Sequence, residues 1–219
     1  MRVTTCNTNI SDISDVISCI SEGKTYEYML QEPKPENREF IKKVLFEYLK
    51  AIGKENCHYL LGLCMEEIIS NSVKANIKRT HFLSNNLDIN NHEDYQKGMQ
   101  DFKENGLGNL KDPAMMQKVS AMGLYVKICF KVENNCLYIT TRNNSVISKE
   151  EIERINKKLK LSENKSPEDI FMNSIDQTEG AGLGIIMIKK ILSQISSTKD
   201  CFAISASDTE TITELKIQP

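Results

Sequence analysis

Apolar and polar positions alternate over residues 25–31, which puts Tyr26, Tyr28 and Leu30 on one face and predicts a strand that starts the fold. Pro33 and Pro35 then punctuate the chain. Over 36–51 the period becomes helical, with Phe40, Val44, Leu45 and Leu49 on one side and Gly53 as the stop. A second helix is predicted over about 56–78, where Leu61, Met65, Ile68, Ser72 and Ala75 recur at three and four residues, as a half-buried helix requires. Residues 80–122 lose this regularity. Asn85-Asn86, Asn90-Asn91, Gly98, Gly106 and Gly108 cut short helical patterns such as 93–102, so the segment reads as an insertion rather than a domain. Alternation returns over 124–132 and 136–141 around a hairpin turn at Glu133-Asn134-Asn135. An amphipathic helix over 149–159, a polar stretch over 162–178 and a helix over 182–195 come next. A closing hairpin is predicted from 202–206 and 211–217 around Ser207-Asp208-Thr209. Residues 1–24 are polar and weakly patterned and are expected to be a loosely attached arm before a domain over 25–219. The order predicts an α+β two-layer sandwich, with helices on one face of a mixed, mostly antiparallel sheet.

Composition narrows the function classes. At 219 residues the chain is one large domain, or a small domain with an insertion, and not a multi-domain machine. Lys+Arg 28 nearly balances Asp+Glu 30, with no cationic cluster, so neither nucleic acid nor an acidic membrane surface is an expected partner. The longest apolar runs, such as 59–65 and 183–188, fall far short of the roughly 20 residues that cross a bilayer. Met1-Arg2-Val3-Thr4-Thr5-Cys6 leads into polar sequence without the apolar core of a secretory signal, so a cytoplasmic protein is expected. Seven cysteines form no C-x-x-C pair and read as reduced thiols, Cys57 and Cys64 being small buried hydrophobes of a helix. With three scattered histidines, no zinc site is expected.

Two features carry candidate chemistry. Glu67, Asn71, Lys74 and Lys78 are spaced by four, three and four, forming a polar stripe beside the apolar one. Such a stripe faces either solvent or a ligand. On the second reading a carboxylate, an amide oxygen and an ammonium converge on a metal-phosphate group, for which one Asn suffices because magnesium shares its shell with phosphate and water. The other feature is Gly180-Ala181-Gly182-Leu183-Gly184, alternate glycines opening an apolar helix. They suit either a loop hinge or the approach of backbone amides to an anion at a helix N-terminus. A dinucleotide-binding fingerprint is excluded, because it needs a βαβ unit and only a hairpin follows.

In this order the two features resemble the GHKL ATPase superfamily, the ATP-binding fold of gyrase, heat-shock chaperones, histidine kinases and mismatch-repair proteins. Glu67-Ile68-Ile69-Ser70-Asn71-Ser72-Val73-Lys74-Ala75 is similar to the N box of that family, and the glycine run to its second glycine box. The likeness runs over about 26–217, apart from the insertion. It implies the Bergerat-type fold, ATP and Mg2+ as cofactors, Glu67 as general base and Asn71 as magnesium ligand. It also implies Asn71, Lys74, Asn143, Gly180, Gly182, Gly184 and Thr211 as nucleotide contacts, and a mobile lid over 146–178. One box departs: Asn143 stands where the family has its adenine-binding Asp, and Ser145 where it has Gly. An amide that can turn offers either an acceptor or donors, so relaxed selectivity for adenine is expected.

His58 lies inside the N-box helix and His92 follows it, so neither is the phosphoacceptor of a sensor kinase. The opening strand, single helix and immediate N-box helix look like the serine kinases that act as anti-sigma factors, which lack the 80–122 insertion. The resemblance then implies a regulatory kinase acting on a protein partner (a sigma factor, an anti-sigma antagonist or a response-regulator-like protein) and allows a homodimer. Two alternatives stay open: a pseudo-kinase scaffold with weak or no nucleotide, and an ATPase or catalytic half of a split two-component kinase.

Overall fold

The computed structural model describes residues 12–30, 33–106, 112–162, 183–198 and 200–219. The fold is α+β, with an open sheet of five antiparallel strands: β1 (Tyr26–Leu30), β2 (Val126–Glu133), β3 (Cys136–Asn143), β4 (Phe202–Ala206) and β5 (Thr211–Ile217), in the order β1-β2-β3-β5-β4. Every described pairing is antiparallel, in line with the expected mostly antiparallel sheet. β2 and β3 meet through Asn134 and Asn135, both at positive φ, the two-residue turn whose twist suits a hairpin.

Helices α2 (Pro35–Ala51) and α3 (His58–Ser84) cover one face of this sheet, joined by α7 (Leu183–Ile195). That face is apolar where Tyr26, Ile128, Phe130, Leu137, Ile139, Leu215 and Ile217 meet Leu45, Leu49, Leu61 and Met65. Tyr48 stacks on Phe130 at 5.4 Å in the middle of this core. Burial pushes the Cys64 thiol up to about 12, as befits an unreactive core residue. Along the same face the register then turns polar, with Thr141 opposite Thr213 and Asn143 opposite Thr211. The change marks where core ends and cavity begins.

Two expectations are corrected. Residues 1–11 lie outside the described residues, but the rest of the expected arm is not loose. Helix α1 (Ile13–Ser21), capped by Asp12, buries Val16 and Cys19 and packs on α2. Ile13, Val16 and Ile20, spaced by three and four, supply its apolar side, and this weak stripe suffices because α2 completes it. The expected insertion also begins inside α3, which continues to Ser84. Beyond it come α4 (His92–Asp101), a π-helical turn (Phe102–Gly106) and α5 (Pro113–Ala121). Ile77, Phe102, Met115 and Val119 form a small second core that seats this segment on α3. The remaining helix, α6 (Lys149–Ser162), lies against α7. Among the described residues no helix is long and apolar enough to cross a membrane.

Candidate functional site

A cavity of about 330 Å3 opens between the polar end of the sheet face and α3, with α6, α7 and the π-turn as further walls. A volume of this size is in the range of small-molecule sites. The polar stripe of α3 borders it: Glu67, Asn71, Lys74 and Lys78 all line it. Their spacing keeps them on one side of the helix, while Leu61, Met65, Ile68 and Ser72 are buried. The sheet contributes Asn143, Thr211 and Thr213 to the cavity.

The hydrogen bonds fix which atoms are left for a ligand. Asn71 Nδ2 donates to Glu67 Oε1 at 3.0 Å, which orients the amide and leaves Asn71 Oδ1 without a partner among the described residues. Lys74 is exposed and has no ion-pair partner there either. Asn143 is 3% exposed and donates from Nδ2 to the Ser145 carbonyl at 3.1 Å, and its Oδ1 has no partner among the described residues. The expected free rotation of this amide therefore costs a hydrogen bond. Ser145 Oγ donates to the Ala75 carbonyl at 3.2 Å, tying this strand end to α3.

Thr211 is used differently from the nucleotide contact implied by the resemblance. Its hydroxyl donates to the Ser145 carbonyl at 2.7 Å and accepts from Ile147 N–H at 2.8 Å, so it shapes the turn after β3 with its single donor hydrogen already engaged. Gly184 stands in the first turn of α7, where a Cβ would fall on the Glu67 carboxylate. Its bare backbone lets α7 come against the Glu67 side of α3. Gly180 and Gly182 lie outside the described residues, as do residues 163–178 of the implied lid and 107–111 of the insertion.

Sequence reasoning missed several lining residues. Glu151 opens α6 in a reciprocal cap, with Ser148 N–H donating to its Oε2 and its own N–H to Ser148 Oγ, and its Oε1 pairs with Lys78 across the cavity. Burial pushes the Glu151 carboxyl upward, but the Lys78 ammonium, the Ser148 N–H and the Arg154 charge outweigh it and hold the group below its ordinary value. The Ser148-x-x-Glu151 spacing announces the cap, though nothing in it announces Lys78. Arg154, Lys158, Met99 and Phe102 also line the cavity. Four cationic side chains, Lys74, Lys78, Arg154 and Lys158, face two carboxylates there, an excess that suits an anionic ligand. Among the described residues no group of three or more His, Cys, Asp or Glu could hold a metal by itself. A divalent ion would need oxygens from its ligand, and the free Asn71 Oδ1 fits that arrangement.

No family model matches the chain, and no solved structure matches it. It is similar, at 30% identity over 179 residues and 81% of its length, to a protein of Treponema pallidum (strain Nichols) described as an uncharacterized protein. The chain spans about a third, 34%, of that relative.

Proposed function

We propose that this chain binds ATP with magnesium in the cavity and acts as a cytoplasmic regulator of a protein partner, in the manner of the GHKL serine kinases it resembles. The observation that carries the reading is a pair of amide oxygens, Asn71 Oδ1 and Asn143 Oδ1. Each is left free by a hydrogen bond that fixes its amide, and both residues line one cavity rich in cationic side chains. Asn143 Oδ1 suits the amino group of adenine, while Asn71 and Lys74 suit the phosphates. Magnesium bound at Asn71 would offset the phosphate charge, completing its shell with phosphate oxygens and water.

Glu67 is the candidate general base. Its Oε1 accepts from Asn71, and its Oε2 has no partner among the described residues. That oxygen suits proton removal from a partner's hydroxyl, as a kinase requires, or from water, as an ATPase does. The scaffold reading draws on a different observation: the Ser145 bond to α3 braces the strand end that the family leaves bare. Titration with ATP, ADP and GTP, each with and without magnesium, tests the reading. Magnesium-dependent ATP binding is expected, and no binding of any of the three favours the scaffold.

A further inference from the structure

The inserted segment lies against the far half of α3. Gly98 of α4 has no room for a side chain, because a Cβ there would meet Phe82 Cζ at 2.5 Å, so α4 is pressed onto the last turns of α3. Phe102 opens the π-turn with 5% exposure, its ring 5.6 Å from that of His81 and its side chain packed in the cluster with Ile77. Single π-turns recur at functional sites because they redirect one side chain out of the helical register. Here Phe102 and the half-buried Met99 both line the cavity.

Their position along it follows from α3. Ile77 and His81, on which Phe102 packs, stand ten and fourteen residues beyond Glu67, roughly 15–20 Å along the helix. The apolar wall therefore sits at the end opposite the Glu67 and Gly184 pair. Tyr95 Oη accepts from Arg154 at 2.7 Å, so α4 and α6 meet beside this end.

We propose that Met99 and Phe102 contact the base of the nucleotide, so that the inserted segment sets the preference for base-bearing over base-free phosphate ligands. This rests on the nucleotide reading above. The side chains of Met99 and Phe102 offer no hydrogen bond to a phosphate, whereas a flat aromatic base gains contact area against them.

Calorimetric titration of the whole chain with magnesium-ATP and with magnesium-tripolyphosphate tests this in the wild type, Phe102→Leu and Met99→Ala. The leucine keeps the Ile77 cluster filled, and Met99 lies outside that core. ATP affinity is expected to fall about tenfold in Phe102→Leu and less in Met99→Ala, the scale of one base–aromatic contact, with tripolyphosphate affinity held within about twofold. Unchanged ATP affinity in both variants overturns the wall and leaves the nucleotide site standing, as does an equal loss for both ligands. A wild type that binds no ATP overturns both.

Discussion

Gly184 and Glu67 fit together as backbone against side chain: a Cβ on Gly184 would fall on the Glu67 carboxylate. Alanine favours a helix over glycine by about 1 kcal/mol, so Gly184→Ala alone would stabilise α7 if the space were open. The close contact predicts otherwise. In the wild-type background the substitution is expected to give no stabilisation, and in Glu67→Ala it is expected to recover about 1 kcal/mol, a coupling that chemical denaturation of the four proteins measures. Equal effects in both backgrounds would mean that the two residues do not touch.

Glu67→Gln keeps an acceptor oxygen for Asn71 Nδ2 but cannot take a proton. ATP affinity is expected to stay, and any phosphotransfer or hydrolysis to fall by roughly 10²–10⁴-fold, the usual worth of a general base. Persistent turnover would remove Glu67 from that role.

The Lys78 to Glu151 pair predicts a pH dependence of stability. Because the folded Glu151 pKa lies below its ordinary value of 4.5, the pair's contribution is complete above that value and is lost as pH falls through the lower folded pKa. Glu151→Gln is expected to cost about 2 kcal/mol at pH 7, since it leaves the Lys78 ammonium buried with a weaker partner, and progressively less below pH 4.5. Urea denaturation of both proteins at the two ends of this range checks it. A difference independent of pH would contradict the account.

The elements were legible where a periodic pattern met its own stop. The closing hairpin at Phe202–Ala206 and Thr211–Ile217 and the helix Pro35–Ala51 are of this kind. Helix α1 escaped because its stripe is short and set in polar sequence, so its burial depends on α2, which spacing does not reveal. At the site, the α3 stripe could be read because one helix carries all of it. Met99, Phe102 and Glu151 could not, since folding brings them to α3 from distant segments. The Asn143 amide was legible as a residue type but not as an orientation, which the Ser145 carbonyl sets.

That orientation leaves Asn143 an acceptor toward any base bound there, on the nucleotide reading proposed above. Guanine would need the amide to turn, losing the bond to Ser145 and setting Asn143 Oδ1 against the Ser145 carbonyl oxygen, at a cost of about 1–3 kcal/mol. Wild type is therefore expected to prefer ATP over GTP by at least about fivefold. Asn143→Asp, whose carboxylate cannot donate to the Ser145 carbonyl, is expected to be less stable by a similar about 1–3 kcal/mol. Paired titrations and thermal unfolding read both. Equal affinity for ATP and GTP in the wild type would show that this strand end does not read the base.

The central claim is that Asn71 Oδ1, set free by the bond from Nδ2 to Glu67, holds magnesium against a nucleotide's phosphates. Calorimetric titration of ATP into wild type and Asn71→Ala, each with magnesium and with chelator, tests it most directly. Asn71 buries little apolar surface, so the variant is expected to fold, and its ATP affinity is expected to be the same with and without magnesium while the wild type binds more tightly with the metal. A magnesium enhancement of equal size in both proteins would contradict the assignment.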